Sequence, residues 1–222
     1  MTDPKKLGRI LGVLIIVQGL GGYIGNFVLL SPVLTAPGGF LANAAAYEMR
    51  VRLAVLAGLA AGAMSLGIAI TAAKIFRRHS ESLALWFVCL SAVGFAVTSI
   101  EQIGLLAMLA VSQKLAAAVA SPEAYQAAGE VARASRNAAH YTNLMIVGAG
   151  LVVMHSTLFR FKLVPRALAG LGILGALMQF SAVSMPMLGR PINMNLLTPL
   201  GIAQLSLALW LLAKGFPEQR DA

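Results

Sequence analysis

Apolar residues form six long runs along the chain, and short polar connections separate the runs. The apolar runs cover residues of about 8–30, 50–75, 83–111, 139–159, 166–188 and 195–214. A helix crosses a hydrocarbon core of roughly 30 Å with about 20 apolar residues, so each run is long enough for one crossing. The pattern predicts an all-α polytopic membrane protein in which residues 1–222 form a single six-helix transmembrane domain.

The composition supports a membrane protein. Of the 222 residues, 59% are hydrophobic and 11% are charged, whereas soluble domains are about half apolar and about a quarter charged. The net charge of +9 would indicate a nucleic-acid partner in a soluble protein. Here most basic residues lie in the connections between apolar runs. We therefore expect the lipid bilayer as the partner, and no nucleic acid.

The distribution of Lys and Arg predicts how the chain is oriented. If the N-terminus is cytoplasmic, eleven of the 17 basic residues lie on the cytoplasmic side. Cytoplasmic loops carry such an excess of positive charge. We expect a multi-pass protein of the cell inner membrane with both termini in the cytoplasm. Trp86 and Trp210 fall near the cytoplasmic interface in this topology, where indole rings anchor helices.

Glycines recur at a spacing of four in two of the runs. The pairs are Gly21 with Gly25 and Gly58 with Gly62. In lipid this spacing lets helix backbones approach closely. We expect tight helix packing and homo-oligomer contacts through these glycine-rich faces, and the alternative is that glycine and alanine are simply common in this chain.

The connection 113–138 also holds helical signals. Ser121 is a suitable N-cap, and Pro122 suits the first helical position. Arg133, Arg136 and His140 then follow at spacings of three and four, which places them on one face of a helix leading into the fourth span. We interpret this stripe as a solvated outer face, and attraction to anionic headgroups or to an anionic ligand is the alternative.

One carboxylate, Glu101, lies inside an apolar run, whereas the other seven acidic residues lie in tails, connections or at helix ends. An ionised group near the membrane centre costs about 2.5–3.5 kcal/mol on insertion scales. Glu101 must therefore be paired, neutralised or open to water.

Glu101 shares one helical face with other small or polar residues. They recur at spacings of three and four: Ser91, Gly94, Thr98, Glu101 and Gly104. A polar stripe on an otherwise apolar helix should face other helices rather than lipid. Gln102 lies about 100° around the helix and is a separate case.

Polar residues concentrate in the predicted outward half of the spans, which indicates a cavity open to that side. Arg50 or Arg52 is the expected charge partner of Glu101, and His140 is a titratable alternative. The candidate residues of a ligand-binding or proton-linked site are Glu101, Arg50, Arg52, His140, Asn26 and Gln204. A small-molecule binding or transport protein is the first hypothesis. The second is a structural or regulatory membrane partner in which Glu101 forms a structural ion pair.

Other chemistry finds little support in the sequence. The single cysteine, Cys89, excludes a disulfide within the chain and a two-cysteine redox motif. His140 and His155 are fifteen residues apart on one predicted helix, about 22 Å, so they cannot share a metal or haem. Hydrolase, phosphate-loop and metalloprotease motifs are missing. We expect neither cofactor nor metal and favour a non-enzymatic protein, although an enzyme site assembled in space stays open.

Three segments resemble a known family. They are "DPKKLGRILGVLIIVQGLGGYIG" at 3–25, "LVPRALAGLGILGAL" at 163–177 and "TPLGIAQLSLALWLLAKGF" at 198–216. Together they resemble a bacterial domain-of-unknown-function family of small, six-span integral membrane proteins of about this length. The resemblance implies fold and location only. Members often carry a Glu at the place of Glu101, and another where this chain has Gln204, so this chain lacks the second acid.

Overall fold

The structure is a computed structural model that describes residues 3–117 and 122–217. Eight α-helices and two shorter helical segments occupy these residues. They are α1 (Pro4–Tyr23), a π-helical segment (Ile24–Leu30), α2 (Ser31–Thr35), α3 (Gly39–Asn43), α4 (Glu48–Phe76), α5 (Glu81–Ala116), α6 (Pro122–Arg160), α7 (Arg166–Met187), a 3₁₀ turn (Met194–Leu197) and α8 (Thr198–Lys214).

Six helical stretches in the described residues are long and apolar enough to cross a membrane. They are Pro4–Thr35, Glu48–Phe76, Glu81–Ala116, Glu123–Arg160, Arg166–Met187 and Met194–Lys214. Large apolar side chains on their surfaces are exposed, such as Leu56 at 61% and Ile103 at 65%, as expected for helices that face lipid. The prediction of an all-α membrane protein with six spans is confirmed, and the orientation of the termini stays a prediction.

The helix of the fourth span, α6, is longer than the apolar run that predicted it. α6 is continuous from Pro122 to Arg160, and includes the Ala-rich part of the connection 113–138. Alanine has the highest intrinsic helix propensity, so the helix extends beyond the apolar run. The predicted N-cap, Ser121, lies outside the described residues.

The described residues divide into two compact units. Unit 1 comprises Met1–Gln18, Met64–Phe95 and Tyr141–Ala222, and unit 2 comprises Gly19–Ala63 and Ala96–His140. The core of unit 1 includes Phe76, Met154 and Leu211, each at most 1% exposed. In unit 2, Val33 and Val51 are fully buried in a second core. The single-domain organisation stays a prediction.

The hydroxyl of Ser112 on α5 forms hydrogen bonds with α3 and with the turn that follows α3. The Ser112 hydroxyl donates to the Leu41 carbonyl at 2.7 Å and accepts from the Ala45 amide at 2.9 Å. The Asn43 carboxamide donates to the Pro37 and Gly39 carbonyls, each at 2.8 Å. The segment before α4 is thus hydrogen-bonded to α5 and to itself.

Glycines on α7 pack closely within unit 1. A Cβ at Gly175 would lie 2.7 Å from the Leu200 backbone nitrogen on α8, whereas the nearest neighbour of a Cβ at Gly170 would be Phe159 at 4.0 Å. Gly172 lies against the imidazole of His155. The glycines of this helix therefore differ in how much space surrounds them.

This difference predicts opposite effects of two matched substitutions. Gly175→Ala should destabilise the folded protein by about 1–3 kcal/mol, because the added methyl overpacks against the α8 backbone. Gly170→Ala should leave the stability unchanged or raise it, because alanine favours helix over glycine by about 1 kcal/mol. Thermal unfolding of the purified protein in detergent measures both, and equal effects would contradict the packing described here.

Candidate functional site

The polar stripe on α5 is buried, as predicted. Ser91, Thr98 and Glu101 are 9%, 8% and 5% exposed. On the opposite face of the same helix, Ile100 and Ile103 are 59% and 65% exposed. Glu101 therefore lies on the inner face of α5, at a level where the outer face is apolar.

Two side chains of α6 contact the same oxygen of Glu101. Arg136 donates from Nη2 to Oε1 at 2.7 Å. Nδ1 of His140 lies 3.0 Å from the same Oε1, and donates when it carries the proton. Because Arg136 and His140 are four residues apart, they occupy one face of α6 on successive turns. We call Glu101, Arg136 and His140 the Glu101 cluster, and all three belong to unit 2.

A glycine allows α5 and α6 to approach at this place. A Cβ at Gly104, one turn from Glu101, would lie 3.1 Å from Cβ of Arg136. A larger residue would push the stem of Arg136 away, and the short contact with Glu101 depends on that stem. Gly104 thus supports the cluster, and it belongs to the stripe that was predicted to face other helices.

Burial differs across the cluster. The side chains of Glu101 and Arg136 are 7% and 13% exposed, whereas that of His140 is 31% exposed. The Nε of Arg136 is buried and has no hydrogen-bond partner among the described residues. The cluster thus combines a buried ion pair, one unused donor and a titratable ring at its more exposed edge.

Family comparison agrees with the sequence motifs. A model described as Domain of unknown function (DUF4386) matches residues 10–215 of the 222-residue chain. The chain belongs to the DUF4386 family. No curated protein matches it, and no solved structure matches it.

The prediction that Arg50 or Arg52 is the charge partner of Glu101 is wrong for this DUF4386 chain. Arg52 pairs with Glu48 on its own helix at 2.6 Å, and the Arg50 guanidinium lies 5.5 Å from the centroid of the Tyr47 ring. A partner four residues away on the same helix costs less entropy to reach than one on another helix. The basic partner of Glu101 is Arg136, and the alternative His140 also contacts it.

The remaining candidates, Asn26 and Gln204, have other surroundings. The Asn26 carboxamide donates to the Gly22 carbonyl on its own helix at 3.0 Å. Gln204 is half-buried on α8 and belongs to unit 1. The contacts described here bring neither to Glu101, and their role in ligand binding stays a prediction.

The sequence pattern singled out Arg136, but as part of a solvated helix face rather than as a partner of Glu101. The stripe of Arg133, Arg136 and His140 was expected to be a solvated face, but only its first member fits. Arg133 pairs with Glu130 at 2.6 Å, and their side chains are 55% and 60% exposed. Helical spacing places the three residues near one face but does not separate a side chain at its edge from one that points inward.

Gln102 lies on a different part of the α5 surface from Glu101, as its position about 100° around the helix predicted. It is 8% exposed, and a Cβ at Gly58 would lie 2.7 Å from its carboxamide carbon. The glycine of the Gly58 pair therefore accommodates a side chain of α5 within the chain. Association between chains through glycine faces stays a prediction.

The contrast between the two arginines of α6 gives a stability prediction. Arg136→Leu should destabilise the protein by about 3–5 kcal/mol, because it leaves the buried Glu101 carboxylate without its cation. The matched control Arg133→Leu should cost about 0–1 kcal/mol, because its ion pair is exposed.

Chemical or thermal unfolding in detergent measures these differences. The double variant Glu101→Gln/Arg136→Leu should recover much of the lost stability, since it removes both buried charges. If Arg136→Leu and Arg133→Leu behave alike, the Glu101–Arg136 contact does not support the fold.

Proposed function

We propose that this membrane protein binds or transports a small molecule at the Glu101 cluster, and that ligand binding is linked to a proton on His140. The observation that carries the proposal is the sharing of one buried carboxylate oxygen by Arg136 and His140. Ionisable residues within spans are costly, and in membrane proteins they commonly belong to substrate or proton pathways.

The charges of the cluster support a link to protons. Arg136 is always charged and compensates the charge of Glu101. Protonation of His140 then adds one uncompensated positive charge to a mostly buried site, which favours an anionic or acceptor group nearby. The unused Nε donor of Arg136 is available to such a group.

The setting of the proposal follows from the sequence. The excess of basic residues on one side supports an inner-membrane protein with cytoplasmic termini. The concentration of polar residues in the predicted outward half of the spans supports an outward-facing polar cavity at the cluster. A chain of 23.2 kDa with six spans leaves little room for an alternating-access pathway, so a transporter of this size would act as a homodimer.

The proton serves as the probe, because the small molecule is not identified. Proteoliposomes with an internal pH dye should show proton uptake above that of protein-free liposomes when an inward pH gradient is imposed. His140→Gln should reduce uptake to the protein-free level, because it removes the titratable ring. It leaves the Glu101–Arg136 pair intact, so the variant should keep its melting temperature.

His79→Gln is the matched control. His79 lies in the connection between α4 and α5, in unit 1, and its loss should leave uptake unchanged. If folded His140→Gln protein takes up protons as fast as the wild type, proton linkage at the cluster is wrong.

A structural or regulatory membrane partner is the second candidate function. The observation that favours it is the charge balance of Glu101 and Arg136, which lets the pair lock α5 to α6 without any ligand. In that case no member of the cluster should affect proton uptake, and substitutions of Glu101 and Arg136 should change only stability and association with partners.

A further inference from the structure

A basic cavity of about 640 Å³ lies in unit 1, where α6 ends, α7 begins and α8 ends. Four basic residues line it: Lys5, Lys162, Arg166 and Lys214. The described lining contains no acidic residue. Leu163, Trp210 and Phe216 contribute apolar surface. The cavity thus combines concentrated positive charge with an apolar wall.

The α6–α7 connection holds Lys162 in an unusual conformation. Among the described residues it is the only one other than glycine with a positive φ, at 53°. The Lys162 amide donates to the Phe159 carbonyl at 3.3 Å, and the Leu163 amide donates to the Leu158 carbonyl at 3.0 Å. These are the two bonds of a Schellman motif, in which glycine commonly takes the place of Lys162. A side chain kept at a strained position indicates a use for that side chain.

The part of the lining formed by Lys5, Gly215 and Phe216 is close-packed. Gly215 ends α8 with a φ of 67°, and a Cβ there would lie 2.6 Å from the Lys5 carbonyl oxygen. A Cβ at Gly8 would meet the Phe216 backbone nitrogen at 2.5 Å, and Phe216 is 1% exposed. The end of α8 is therefore held against the start of α1, so this wall is already formed without a ligand.

We infer that this cavity binds the phosphate headgroup of an anionic phospholipid. The basic side chains would contact the phosphate, and the apolar wall would contact the glycerol and the first part of the acyl chains. Basic pockets between membrane helices bind such headgroups. The first turn of α7, which begins at Arg166, adds backbone N–H donors that favour an anion.

A lipid fits the cavity better than free phosphate. Cavities of about 300–1,000 Å³ hold small organic molecules, and the volume here is about 640 Å³. A hydrated inorganic ion would make no use of Trp210 and its apolar neighbours. The cavity also lies at the ends of helices that can span the membrane, and the ends of spanning helices meet the headgroup region.

Fluorescence of Trp210 tests the site directly. The background variant Trp86→Phe removes the second tryptophan, which is 61% exposed on α5 and lies outside the cavity. In lipid nanodiscs, phosphatidylglycerol brominated near the headgroup end of its chains should quench Trp210 at about one tenth of the mole fraction that brominated phosphatidylcholine requires.

Two triple variants separate the cavity from general surface charge. Lys162→Gln/Arg166→Gln/Lys214→Gln should abolish the preference for the anionic lipid. The matched variant Lys74→Gln/Arg77→Gln/Lys114→Gln removes the same charge from exposed positions outside the cavity and should keep the preference. Equal quenching by both lipids in the background variant, or equal losses in the two triple variants, would overturn the inference.

Lys162→Gly separates lipid binding from fold stability. Glycine relieves the strained backbone, so the melting temperature should stay the same or rise. The preference for the anionic lipid should fall about fivefold, the effect of one basic residue near a charged membrane surface. Lys162→Arg should keep the preference. If Lys162→Gly keeps it in full, Lys162 does not bind the headgroup.

Inorganic phosphate distinguishes a lipid from a free anion. Phosphate at millimolar concentration should not relieve the quenching by brominated phosphatidylglycerol beyond the effect of chloride at the same ionic strength. Specific relief by phosphate would assign the cavity to a free anion and overturn the lipid site.

Discussion

Hydrocarbon provides no water to a polar side chain, so a polar side chain in a spanning helix is stabilised by partners within the protein. This constraint accounts for many of the hydrogen bonds described here. Thr157 and Ser184 donate to carbonyls four residues earlier on their own helices. The Gln179 carboxamide on α7 reaches the Leu144 carbonyl on α6 at 2.8 Å. Glu101, which needs a charge as well as a donor, obtains both from α6.

Glycines make room for these buried polar side chains. In four places a large polar side chain lies against a glycine of a neighbouring helix: Arg136 against Gly104, Gln102 against Gly58, Gln179 against Gly148 and His155 against Gly172. Small residues at helix contacts let backbones approach in lipid, and here they also leave space for a side chain with hydrogen-bonding groups. The packing and the polar interactions of the spans therefore depend on the same positions.

Charge is arranged differently in the two units. In unit 2 the carboxylate of Glu101 has a cation at 2.7 Å, so the buried pair is compensated and can support the fold without a ligand. In unit 1 the described lining of the basic cavity includes four basic residues beside apolar side chains, a combination that suits an anionic ligand with an apolar part. The first arrangement favours a proton-linked or structural role, and the second favours an anionic ligand.

The sequence by itself determined the fold class, because a run of about 20 apolar residues has few stable alternatives to a membrane-spanning helix. It also determined that the stripe with Ser91, Thr98 and Glu101 faces inward, because one helix face differed in polarity from the rest. Spacings of three and four residues are enough to predict which side chains share a helix face, because these side chains are neighbours on a single helix.

Only the tertiary structure decided which cation reaches Glu101. Arg50, Arg52, Arg136 and His140 were all near the predicted outer half of the spans, and sequence separation does not order them. Arg52 forms an ion pair with Glu48 on its own helix, whereas the absence of a side chain at Gly104 lets the stem of Arg136 approach α5. The cavity around Lys162 was likewise hidden, because its walls come from chain segments far apart in sequence. Contacts between helices depend on how each helix is rotated about its own axis and on the distance between the helix axes. Local sequence patterns do not encode these quantities.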